Sequence, residues 1–82
     1  MSKIEKLISR FEAAKNDFTW KELCRLLEGI GYTEIQGAGS RVKFDNGNPD
    51  RRVNLHRPHP GNKVKIYVIR ELRSKLKEWR MI

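Results

Sequence analysis

The apolar residues of this chain change their spacing twice. From Ile4 to Ile30 they recur every three or four positions; from Tyr32 to Leu55 they alternate; from Ile66 to Trp79 the wider spacing returns. A period near 3.6 suits one face of a helix and a period of 2 one face of a strand, and neither pattern can do the work of the other. In 82 residues this leaves room for one domain, residues 1–82, in the order helix, helix, three strands, helix. Ser2-Lys3-Ile4-Glu5 and Thr19-Trp20-Lys21-Glu22 both have the capping-box pattern. They predict helices over 3–15 and 20–30, the first ended by Asn16-Asp17 and the second by Gly31. Tyr32–Gln36, Arg41–Phe44 and Arg52–Leu55 alternate as strands, with a hairpin turn expected at Asn46-Gly47. Val42, Phe44, Val53 and Leu55 fall on the face to be buried, and Arg41, Lys43, Arg52 and Asn54 on the opposite one. The last helix is expected over 64–79, with Asn62 as a candidate cap, although Ile66-Tyr67-Val68-Ile69 alone also fits a strand. The helices must cover the apolar face of the sheet, which makes an α+β fold with a three-stranded antiparallel sheet and one open, cationic face.

The charge is regional. Residues 1–38 carry six basic and six acidic side chains, residues 39–70 eight basic against two acidic, and residues 71–82 four against two, giving +8 in all. A polyanion is the natural partner of such a block, the alternative being a solvated basic face. No apolar run approaches the ~18 residues of a membrane span. The N-terminal segment mixes charged and apolar residues and lacks the apolar stretch of a signal peptide. A cytoplasmic location is expected. The single cysteine, Cys24, allows no internal disulfide. It lies on the stripe of the second helix and is read as core, as are Trp20 and Trp79.

Both histidines and two of the three prolines occur together in His56-Arg57-Pro58-His59-Pro60. A histidine side chain exchanges a proton near neutral pH, which suits general acid and base work. Arg57 and Lys63 would hold a phosphate beside it and offset its developing charge. RNA brings its own nucleophile, the 2′-hydroxyl, so a base, an acid and cations suffice, and no metal or cofactor is expected. The alternative is a surface turn that contains histidine. Two histidines three apart without clustered carboxylates make a poor metal site. Gly37-Ala38-Gly39-Ser40 is a turn whose main chain can approach a phosphate, or simply a turn that needs positive φ; it lacks the spacing of a P-loop.

Thr19-Trp20-Lys21-Glu22-Leu23, Leu26-Leu27, Gly31, the run Gly37 to Phe44 and His56 to Pro60, followed by an Arg-rich helix, resemble the HicA toxins of bacterial type II toxin–antitoxin modules. The resemblance covers about residues 18–78, so residues 1–17 are expected to be a helical extension and 18–80 the HicA-like core. It implies a fold like the double-stranded-RNA-binding domain, ribosome-independent cleavage of mRNA, and a HicB antitoxin that covers the active face. Many members of the family carry a catalytic histidine directly after the Gly-Ser pair, where this chain has Arg41. Arginine stays protonated and is a poor base, so that role does not transfer. His59 and His56 are therefore expected to share the acid and base roles in an unassigned order. Arg41, Lys43, Arg57 and Lys63 are expected to hold the phosphate, and Gly39 and Ser40 to shape the turn. A non-catalytic module that binds double-stranded RNA is the alternative, and a basic face that docks on an acidic protein is a third reading.

Overall fold

The computed structural model describes residues 3–58 and 61–82. It has three helices, α1 (Lys3–Ala13), α2 (Trp20–Gly29) and α3 (Ile66–Glu78), and three strands, β1 (Thr33–Gln36), β2 (Arg41–Asp45) and β3 (Val53–His56). The strands form one antiparallel sheet in the order β1-β2-β3, so the chain is α+β as the periodicities require. Among the described residues no helix is long and apolar enough to cross a membrane.

The helix starts follow their local chemistry where it is present. At α2 the Thr19 hydroxyl accepts from the Glu22 N–H, and the Glu22 carboxylate accepts from the Thr19 N–H, closing the capping box. The corresponding box at Ser2 lies outside the described residues. Helix α3 starts at Ile66, after Lys65 and without a side-chain cap. Asn62 is not its cap. The Asn62 carbonyl instead accepts from Trp20 N–H at 2.7 Å, and Val64 N–H donates to the Phe18 carbonyl at 2.8 Å. These two bonds tie the segment before α3 to the start of α2. At its other end α3 closes with Met81 N–H donating to the Leu76 carbonyl, with Arg80 left-handed at φ 58°.

The Asn46-Gly47 expectation needs correction. The chain does not reverse in two residues; the reversal takes all of Asn46–Arg52, including a 3-10 turn at Pro49–Arg51. The Asp45, Asn46 and Asn48 side chains accept in turn from the N–H groups of Gly47, Asn48 and Asp50. Side chains of this type compete with the ladder for main-chain donors, and Pro49 has no N–H to offer one.

The core is a single cluster. Phe11, Phe18, Leu23, Leu26, Leu27, Phe44, Ile69 and Leu76 are fully buried, joined by Val42, Val53 and Leu72. Val42, Phe44 and Val53 are the inward side chains of β2 and β3, as alternation requires, and Leu55 is half-buried beside them. Helix α1 contributes Phe11, whose ring lies 5.4 Å from that of Phe18. Arg73 of α3 reaches across to donate to the carbonyls of Phe11 and Ala14, at 3.3 and 2.9 Å. Helices α1 and α2 are so close that a Cβ on Gly29 would collide with the Ile4 side chain.

Candidate active site

The strand register sorts the side chains into two faces. Val42 pairs with Gln36 and Leu55, and Phe44 with Glu34 and Val53; these lie on the helix side. Arg41 pairs with His56, Lys43 with Ile35 and Asn54, and Asp45 with Thr33, and these look out from the open side. The open face is thus crossed by two cationic rows, Arg41–His56 and Ile35–Lys43–Asn54. Arg52 forms an ion pair with Asp45 at 3.7 Å beyond them. Arg41 and Lys43 are exposed and have no ion-pair partner among the described residues.

The pairing of Arg41 with His56 is a close one. Arg57 N–H donates to the Ser40 carbonyl at 2.8 Å. Bonded and non-bonded pairs alternate along an antiparallel ladder, so Leu55 and Val53 exchange bonds with β2 while His56 and Asn54 sit in non-bonded pairs. Side chains in such pairs approach most closely, with Cβ atoms roughly 4.5–5.5 Å apart. His56 is exposed, on the same face of the sheet as Arg41.

A shallow groove of about 450 Å³ runs over this point, lined by Gly37, Ala38, Arg41, Lys43, Asn54 and His56. The turn after β1 contributes Gly37 and Ala38 to its lining. Gly37 N–H donates to the Arg41 carbonyl at 2.9 Å, and a Cβ on Gly37 would come within 3.0 Å of that oxygen. Glycine is what lets the turn close against the strand. Gly39 turns the chain at φ 63°, a conformation that residues with a Cβ rarely adopt. Ser40, next in the turn, accepts from Arg57 N–H through its carbonyl.

Arg57 itself is placed differently from the sequence expectation. Its guanidinium donates to the Gln36 side chain at 3.1 Å, and Gln36 lies on the helix side of the sheet. Successive residues of an extended chain point to opposite faces, so His56 and Arg57 are separated by the sheet although they are neighbours in sequence. Lys63 is exposed and pairs with Thr19 in an isolated bridge. It joins His56 in a second groove, of about 350 Å³, between β3 and α3. His59 lies outside the described residues.

Asn54, which alternation places on the open face, also lines the groove. Ile35, 46% exposed, is an apolar side chain on the cationic face, and nothing in its alternating strand marked it as such. Cys24 is no nucleophile: its thiol donates to Glu34 Oε1 at 3.3 Å. Burial first, and then that carboxylate, push its pKa up to about 12.

The family model described as HicA toxin of bacterial toxin-antitoxin matches residues 20–78 of the chain, well over half of it. No curated protein and no solved structure matches the chain.

Proposed function

The chain belongs to the HicA toxin family of bacterial toxin–antitoxin systems, and from that membership we propose that it is a metal-independent endoribonuclease that cuts mRNA by histidine acid–base chemistry. The observation that carries the reading is the pairing of His56 with Arg41 across β2 and β3. Arg41 stands where many relatives have their histidine, and His56 places an imidazole on the neighbouring strand at the same level of the same face. The proton-transfer group has moved across the strand pair, and the position it left carries a phosphate ligand.

In this mechanism a base removes the proton of a ribose 2′-hydroxyl. The oxygen attacks the adjacent phosphorus, the bond to the 5′-oxygen breaks, and an acid protonates that leaving oxygen. The products are a 2′,3′-cyclic phosphate and a 5′-hydroxyl end. His56 takes one of the two proton-transfer roles and His59 the other. Arg41 and Lys43 hold the phosphate and offset the charge that builds on it. The Gly37–Ser40 turn lets the main chain come close. Lys63 approaches His56 from the second groove, while Arg57, engaged with Gln36, braces the loop. The cognate antitoxin, of the HicB type, restrains the activity in the cytoplasm by covering this face.

The test uses protein unfolded and refolded to strip any bound partner, then incubated with single-stranded RNA with and without EDTA. Cleavage that survives EDTA, is absent on a 2′-deoxy strand and leaves cyclic phosphate ends is expected. His56→Ala should lower the rate by roughly 10²–10⁴, the usual contribution of a positioned acid or base. The exchange Arg41→His with His56→Arg should restore much of that loss, because it only swaps the two sides of one cross-strand pair. RNA that is bound but never cut would move the chain to the non-catalytic reading, in which Arg41 in place of histidine has removed the chemistry.

A further inference from the structure

Strand β3 is an edge of the sheet. Because His56 and Asn54 sit in non-bonded pairs with β2, their N–H and C=O groups point away from the sheet, and among the described residues nothing bonds them. An open edge of this kind is a template for another strand. Beside it lies the groove of about 350 Å³ between β3 and α3. Its floor is apolar, with Leu55 and Val68 half-buried and Tyr67 63% exposed on the rim. Lys63, Lys65 and Lys75 surround it. The one acid in its lining, Glu71, is already paired with Lys75 at 3.3 Å.

We propose that the free edge of β3 is a strand-addition site for an extended segment of a partner polypeptide in which apolar residues alternate with acidic ones. The alternation follows from the geometry. An added strand would run about 4.8 Å from β3. Its side chains level with Leu55 would enter the groove under α3, which is apolar. Those level with Asn54 and His56 would emerge on the open face, beside the Arg41 and Lys43 rows, where a carboxylate is favoured. The other edge, β1, fits such a segment poorly, since Glu34 lies on it. A second copy of this chain is also disfavoured, because it would bring a net charge of +8 to a cationic edge. A segment seated here lies against His56 and shuts the groove over it. The site is then also an inhibitory one; that consequence rests on the toxin reading, whereas the binding itself does not.

The experiment titrates the full-length, 15N-labelled protein with a synthetic peptide of alternating glutamate and valine, to about 1 mM. Two controls have the same composition: a block peptide with all glutamates first, and an alternating peptide N-methylated at every second residue. The expected result is that the alternating peptide shifts the Asn54 and His56 amides and slows their hydrogen exchange by about tenfold or more, while both controls fail. Leu55→Asp and, separately, Val68→Glu should abolish the effect. Equal binding by all three peptides, with shifts confined to Arg41, Lys43 and Arg52, would overturn the proposal in favour of charge adsorption on the open face. So would protection of Asn54 and His56 by an uncleavable single-stranded RNA but not by the peptide, or protection by self-association without peptide. RNA cleavage by the same preparation is scored separately, so a failed nuclease reading and a failed strand-addition site give different results.

Discussion

His56 and Arg57 are bonded neighbours that serve opposite faces of the sheet. The five residues from His56 to Pro60 look like one cluster when read along the chain, and only the structure shows that His56 and Arg57 part to opposite faces. That alternation was legible in Arg52-Val53-Asn54-Leu55; what hid its extension to Arg57 was the turn chemistry of Pro58, which suggested that the loop began earlier. A difference in variant behaviour follows. Arg41→Ala should cut RNA cleavage by at least about tenfold, as loss of a group that stabilises developing charge does, while Arg57→Ala should stay within about threefold. Equal losses in a cleavage assay would place Arg57 in the site. Cys24 is another residue whose surroundings decide its chemistry. Its stripe position marked it as inert, but the Glu34 partner comes from β1 and was not visible in sequence. With its pKa pushed up to about 12 from an ordinary 9.0, the thiol should react with iodoacetamide at about pH 8.5 at least a hundredfold more slowly in the folded chain than in denaturant. The raised value also has a sign. The protonated thiol is favoured in the fold, so its contribution to stability is complete below about pH 9 and is lost as pH climbs towards 12. Cys24→Ala should flatten that alkaline decline in thermal melts.

Among the elements, those with strong internal signals came out as the sequence implied, and those set by tertiary contacts did not. The capping box at Thr19 and the stripe from Leu23 to Leu27 announce α2 within its own sequence. The start of α3 depends on Asn62 and Val64 being held by Trp20 and Phe18, which no local pattern announces. Helix α1 is the clearest case. It lies outside the family match, and its amphipathic spacing showed that it would bury a face without showing against what. Arg73 supplies part of the answer. Its guanidinium donates to two carbonyls at the C-terminal end of α1 and lies 6.0 Å from the centre of the Phe11 ring. Charge-assisted bonds to the last carbonyls of a helix favour that helix end, although the buried Arg73 Nε has no hydrogen-bond partner among the described residues and offsets some of the gain. Arg73→Met keeps the apolar stem and removes the bonds. It should destabilise the chain by about 1–2 kcal/mol, lowering Tm by several degrees for a domain of this size. An unchanged melting curve would mean that apolar contacts alone hold α1 in place.

For the molecule as a whole, the sequence located the excess charge in residues 39–70 but not its distribution in space. The fold splits that block. Arg41 and Lys43 stand on the open face with no ion-pair partner among the described residues, Arg52 is engaged by Asp45 at 3.7 Å, Arg57 crosses to Gln36, and Lys63 and Lys65 border the groove under α3. The helices occupy the other side of the sheet, so a polyanion meets a cationic strip only a few residues wide. Its contacts should then be few enough to count by salt dependence. Each phosphate neutralised on a single strand steepens the fall of log affinity with log salt by roughly 0.7. Lys43→Gln should therefore weaken binding of an uncleavable single-stranded RNA about equally for all sequences, and reduce the salt slope by about that one increment. Arg57→Gln should leave the slope unchanged, since its guanidinium is committed to the helix side. A slope that responds to Arg57 and not to Lys43 would put the RNA path along the helix side of the sheet, away from His56, and the open face could then not be where the chain is cut.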